Sequence, residues 1–395
     1  MQKIIHFDEK KKKRTILNFF TKPASRRELK GLIIATSILV FLSAIIYGLG
    51  RFSPASFTEK YFSLGIYPVW VNTMSILTRY LPFSVGEFII ITLIIIIPFY
   101  LVILIIDMIR AKKSFLKVLG SFMMRVATIC SVFLFLLVMG ASTNYFRYEF
   151  SHYANLDVHP SPVSELYMLC EKLVNEANEL REELKTDKNG ASTFSPMTPW
   201  ELSKEINQSY KNLIEQNPEY EKLFWLSEKI PVKPVYFSEG MSYLQLSGTI
   251  TPFTLEANVN VHTTDFDIPA SMAHELAHIS GFMREDEANF IGYLVCKASD
   301  NKFVNYSGVM SAFIYSSNAL YSRDRELHQQ IMSICSDKVR TDLILDSEYY
   351  NAHKSQVGEV YNTANDTYLK INDQKDGVDS YGRMVDLLLA ELRSQ

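Results

Sequence analysis

His274-Glu275-Leu276-Ala277-His278, continued seven residues on by Glu285-Asp286-Glu287-Ala288-Asn289, decides how this 395-residue chain is read. On a helix the two histidines stand one turn apart on one face, so both imidazoles can close on a single Zn²⁺. Glu275, one step round, reaches a water on that cation. These residue types suit hydrolysis: neutral imidazole binds zinc, the metal lowers the pKa of its water toward roughly 7, and an adjacent carboxylate accepts the proton. Pro269 is placed to open the helix, Ala270 to Ile279 contains no breaker, and Gly281 stands where the helix would end. In an unbroken helix Glu285 would lie about 10 Å beyond His278 at 1.5 Å per residue, too far to share an ion. A left-handed turn at Gly281 and a second helix from Glu285 are therefore expected to fold the carboxylate back to the metal.

Outside this motif the composition is split. Residues 31–50, 88–106 and 126–146 contain no Asp, Glu, Lys, Arg or His, and each can cross about 30 Å of hydrocarbon. Three transmembrane helices are expected within a membrane domain at 31–146. Residues 1–30 form a basic segment with ten Lys and Arg against three acids, which places the N-terminus in the cytoplasm. Arg110, Lys112, Lys113, Lys117 and Arg125 return to that side, leaving residues 147–395 as an extracytoplasmic domain. The chain is expected to be a multi-pass protein of the cell membrane with the lipid bilayer as a partner. Residues 61–78 are also uncharged, but Gly65, Pro68, Asn72 and several hydroxyl residues argue for an interfacial or re-entrant segment. A fourth span would also put the basic loop outside.

A formal net charge of −3 excludes a strongly polyanion-seeking surface, and the basic N-terminus is explained by topology; no nucleic-acid partner is expected. The four cysteines form no C-x-x-C pair; at most one disulfide is open to Cys170, Cys296 and Cys335, and they read as structural free thiols at apolar positions. In the outer domain, residues 162–185 have helical periodicity. Thr198-Pro199-Trp200-Glu201 is a capping box opening a second helix. Tyr236 to Phe237 and Ser242 to His262 look like strands, and Phe290 to Arg393 reads mostly helical. The fold class expected is α+β, mainly helical.

H-E-x-x-H followed by E-x-x-A-N on a second helix is similar to the gluzincin arrangement of membrane prenyl-protein endopeptidases and antirepressor-type peptidases. That resemblance implies Glu285 as the third zinc ligand, with Glu287 as competitor, and Asn289 one turn later in the outer layer of the site, where many gluzincins have Asp. Together with Thr251-Pro252-Phe253-Thr254-Leu255-Glu256-Ala257, Tyr306-Ser307-Gly308 and Gly377-Val378-Asp379-Ser380-Tyr381-Gly382-Arg383, the motif resembles the bacterial membrane family DUF3810 over nearly the whole chain. The resemblance implies a zincin-like membrane protein. The expected function is that of a membrane-anchored zinc endopeptidase acting on peptide or protein substrates, with Glu275 as general base. The alternative is a sensor or scaffold that uses the fold for binding. As in zincins generally, a strand edge above the metal helix would pair with substrate; Ala257 to Thr263 is either that edge or an ordinary buried strand. Tyr381, Arg383 and His262 are candidates for stabilising the oxyanion.

Overall fold

The computed structural model describes residues 23–111 and 115–394. The basic run from Lys3 to Lys22, with Lys112 and Lys113, lies outside the described residues. The chain runs through α1 (Arg26–Phe52), a π-helix (Thr58–Ile66) continued by α2 (Tyr67–Thr78), α3 (Val85–Ala111) and α4 (Phe115–Gly140). By length and composition α1, α3 and α4 can cross a membrane. Their apolar side chains are largely exposed, Phe41, Ile94 and Leu116 among them, as lipid-facing residues are, while the helix satisfies its own backbone.

Two compact units divide the chain: residues 1–49 with 86–139, and residues 50–85 with 140–395. In the first, α1 and α4 share a hydrogen bond of 2.8 Å between the Thr36 and Thr128 hydroxyls, and Ala24 N donates to Ser121 Oγ. The third apolar helix differs from its expected range of 126–146. It begins at Phe115, with Lys117 and Arg125 inside it, and ends at Gly140. There a Cβ would lie 3.3 Å from Pro252 Cα, so the backbone passes too close for a side chain. Ser142–Phe146 then forms a 3-10 turn belonging to the second unit.

The second unit continues through α5 (Val163–Glu182), α6 (Pro199–Gln216), β1 (Val232–Pro234), β2 (Gly248–Thr251) and β3 (Glu256–Val259). There follow α7 (Asp267–Ile279), α8 (Glu285–Lys297), α9 (Lys302–Arg323), α10 (Arg325–Ile334), α11 (Asp337–Ala352), α12 (Gln356–Ile371) and α13 (Met384–Ser394). The fold is mainly helical with one small sheet of order β1-β3-β2. β1 pairs parallel and β2 antiparallel to β3. α6 opens with the capping box Thr198/Glu201. α5 buries Leu166, Leu169, Leu173, Val174 and Ala177, each large side chain stabilising by roughly 1.5–3 kcal/mol.

Two expectations change here. The first strand is Val232–Pro234 rather than Tyr236–Phe237, which are exposed. Its middle residue is Lys233, buried and bound to Glu256 at 2.6 Å, so its polarity hid the strand in the sequence. Ser242, expected in a strand, sits in a short helix, Ser238–Tyr243. Residues 61–78, grouped by sequence with the membrane segments, fold with the second unit. Phe62, Ser63, Tyr67, Val71 and Ser75 are buried in it.

Candidate metal centre

α7 ends in a Schellman turn. Phe282 N donates to Ala277 O at 3.1 Å and Gly281 N to His278 O at 2.9 Å, and Gly281 has φ +85°, the conformation that glycine adopts at least cost. α8 starts at Glu285 and lies close against α7. A Cβ at Gly292 would stand 3.2 Å from Ala270 O and 3.4 Å from His274 N, so the small residue sets the approach. The reversal expected at Gly281 is present.

Glu285 Oε2 lies 3.2 Å from His274 Nε2 and 3.5 Å from His278 Nε2. The other ring nitrogens are already engaged. His278 Nδ1 stands 2.7 Å from Phe282 O and His274 Nδ1 2.8 Å from Asn289 Oδ1. A carbonyl can only accept, so Nδ1 of His278 carries a proton and Nε2 is the nitrogen left to face a cation; the Asn289 contact fixes the same arrangement at His274. Two Nε2 atoms and a carboxylate thus converge on one point, where only a cation or a proton relieves them. His274, His278 and Glu285, with ligand atoms within 4.8 Å of one another, can hold a metal ion. The donor set fits: Glu285 Oε2 and Glu275 Oε2 are buried with no hydrogen-bond partner.

The electrostatics follow from this convergence. Burial pushes Glu285 up, but the charge of His278 and the close approach of both imidazoles outweigh it, holding the carboxylate well below its usual range. Burial acts downward on His278, yet the Glu285 charge carries it up to about 9. Burial and the neighbouring His278 lower His274. Glu275 is pushed up to about 8, by burial above all. A cation bound here would displace the His278 proton and pull Glu275 toward ionisation.

Glu275 faces a cleft of ≈ 490 Å³ lined by Gly248, His274, Asn289, Tyr315 and Tyr361, with Asp267 and Asp346 farther along. A Cβ at Gly248 would lie 2.7 Å from Glu275 Cγ, so β2 rests directly on the carboxylate. Ala257 to Val259 is not the open edge expected: β3 is paired on both sides. β2 is the outer strand. Asn260 N donates to Ser247 O, and with Thr249 opposite Asn258, antiparallel alternation turns the backbone groups of Gly248 and Ile250 outward.

The remaining site candidates fall as follows. Glu287 accepts from Phe150 N at 2.8 Å and points away from the histidines. Asn289 holds His274, as its position implied. His262 is turned away from the cleft, its Nδ1 3.3 Å from Ser242 Oγ and its ring against Tyr349 and His353. Arg383 is exposed and paired with Asp376 at 2.9 Å, because its place at the end of the 3-10 turn Gly377–Arg383 directs it to solvent. The Tyr381 side chain lies outside the described residues. Two further residues of the cleft carry no sequence signal: Tyr361, from α12, and Tyr315, which hydrogen-bonds Asn289. Burial and the charges of Glu285 and Glu275 hold Tyr361 in its protonated form. A tyrosine on an otherwise exposed helix has no spacing signal that points to a site on a different helix.

Residues 62–389 match the family model described as protein of unknown function, DUF3810. No curated protein and no solved structure gives a match. A match running from within the π-helix to α13 includes the whole metal centre, and the chain belongs to the DUF3810 family.

Proposed function

We propose that the protein is a membrane-anchored zinc hydrolase that cleaves peptide bonds. The observation that carries this is the pairing of a metal-binding triad with a carboxylate, Glu275, whose Oε2 has no partner and which lines the same cleft. A pure binding site has no use for a base in that position. Two imidazoles and one carboxylate are a donor set suited to zinc. Zinc held by His274, His278 and Glu285 would acidify a water and polarise a carbonyl.

The chain's own groups supply the remaining steps. Glu275 takes the proton from the attacking water and passes it to the leaving amine. The outward backbone of Gly248 and Ile250 aligns an extended peptide by strand addition. Tyr361 keeps its proton and donates it as a hydrogen bond to the carbonyl oxygen as charge develops there. Asn289 and the Phe282 carbonyl hold the two rings in the ligating tautomer.

Orientation follows from charge: the basic N-terminus lies in the cytoplasm and the metal centre outside. Three crossings are supported by the second unit, which contains both residues 50–85 and residues 140–395 and so needs an even number of crossings between them.

The test is hydrolysis of casein-like and membrane-derived peptides by the full chain in detergent or nanodiscs. Wild type is expected to cleave and Glu275→Gln, still carrying metal, to be inactive. Stoichiometric metal with no cleavage across a broad peptide library would reject the peptidase in favour of a binding role.

A further inference from the structure

The segment between α1 and α3 has two faces. On the inner one, Glu59, Ser63, Tyr67, Val71 and Ser75 recur every four residues and are buried. The π-helical winding of Thr58–Ile66, looser than α, keeps that spacing on one side. On the outer face Tyr61, Ile66, Val69, Ile76 and Leu77 are exposed, Val69 at 66%. A shallow groove of ≈ 450 Å³ there is lined by Tyr61, Ile66, Val69 and Trp70, with Lys60 beside them.

What covers the outer face follows from chain continuity. The segment leaves α1 at Phe52 and enters α3 at Val85, both candidate membrane helices, so both of its ends lie at one bilayer surface. Tyr and Trp with aliphatic neighbours and a lysine suit the boundary between headgroups and acyl chains.

The inner face reaches the metal helix. Tyr67 donates its hydroxyl to His278 O at 3.2 Å. Arg147, ion-paired with Glu59 at 2.7 Å and buried, donates from Nη1 to Ser280 O at 3.0 Å and stacks on Phe282 at 4.0 Å. These carbonyls close α7 and its turn, where the helix's own ladder runs out; His278 O also accepts from Gly281 N, in the turn that sets the His278 tautomer.

We propose that residues 53–84 form a clamp seated in the bilayer interface, with lipid on the outer face and the metal helix positioned through Tyr67, Glu59 and Arg147 on the inner one. The second half of this rests on the metal-site reading above; the lipid half stands without it.

Two measurements on the full chain in phosphatidylglycerol/phosphatidylethanolamine nanodiscs test it. With Trp200→Phe and Trp225→Phe leaving Trp70 as the sole tryptophan, acyl-brominated lipid is expected to quench Trp70 strongly. Absence of quenching, or burial of Trp70 that depends on protein concentration instead, would overturn the lipid face in favour of a second copy. For the inner face, Arg147→Met is expected to weaken Co²⁺ binding 10–100-fold, the usual size for groups that orient ligands, and to shift the ligand-field spectrum of bound Co²⁺. Arg147→Lys should restore part of both, and Tyr67→Phe should give a smaller shift. Unchanged affinity and spectrum in a folded Arg147→Met protein would overturn the positioning role. A wild type that takes up no Co²⁺ while Trp70 is quenched would reject the metal site and the positioning role, leaving the lipid contact in place.

Discussion

His278 and Phe282 are bound to each other across the turn that ends the metal helix: the imidazole Nδ1 lies 2.7 Å from the Phe282 carbonyl oxygen. One backbone reversal therefore does two jobs, returning the chain toward α8 and fixing which nitrogen of His278 faces Glu285. Gly281, at φ +85° and with Arg147 Nη1 3.1 Å from where a Cβ would stand, is the residue this depends on. Gly281→Ala is expected to cost about 1–2 kcal/mol from left-handed strain and to weaken metal binding, measured by denaturant unfolding and by chelator competition.

Asn289 acts on the other ring. Asn289→Ala removes the 2.8 Å acceptor on His274 Nδ1 and should lower metal affinity about 10–100-fold. Asn289→Asp keeps an acceptor and adds charge, so its affinity should equal or exceed wild type. Equal losses in both variants would show that the contact does not orient the ring.

Gly248 gives a test of the base that leaves the ligands alone. Gly248→Ala should push Glu275 aside and reduce kcat on the order of 10²-fold, within the range of general-base contributions, with zinc content unchanged. Tyr361→Phe should reduce kcat about 10²-fold if its hydroxyl supports the oxyanion, with little change in KM. Steady-state kinetics on one peptide substrate read both.

The stability of metal-free protein should fall as pH rises. His278, raised from 6.5 to about 9, contributes stability that is full below 6.5 and lost as pH passes 9. Glu275 and Glu287, raised from 4.5 to about 8 largely by burial, bind more protons folded than unfolded, so they also lose stability between pH 4.5 and 8. Glu285, held low, acts oppositely in acid, where its contribution is lost as pH falls, and His274, lowered by burial, acts oppositely below 6.5. Chelator-treated protein should therefore show a Tm that declines from pH 6.5 to 9, where only the raised groups titrate. Metal affinity should rise over the upper part of that range, since binding releases the His278 proton. A Tm that rises with pH would contradict these assignments.

The buried Lys233 is held by Glu256 and by the carbonyls of Thr78 and Phe83. Lys233→Met should destabilise by about 3–5 kcal/mol because the buried Glu256 charge loses its lysine, and Lys233→Met with Glu256→Gln by less. A double-mutant cycle in urea measures the difference.

The metal triad was legible because helical periodicity fixes His274 against His278 and a single glycine sets the return to Glu285. The three long helices were legible from hydropathy alone. What escaped depends on tertiary partners. Residues 61–78 look membrane-bound by composition, yet half of that surface is covered by the second unit. Lys233 and Arg181 are polar in sequence but buried, the latter bonded to Asp342 at 2.7 Å. Tyr361 reaches the cleft from α12, far along the chain, whereas the closer-looking Arg383 and His262 are committed elsewhere.

The most direct measurement is zinc content, by mass spectrometry, of full-length wild type, Glu285→Ala and Glu287→Ala purified from the same membranes. One zinc per chain in wild type and Glu287→Ala, with none in Glu285→Ala, is the result expected. A wild type without zinc, or a Glu285→Ala protein that keeps it, would contradict the account.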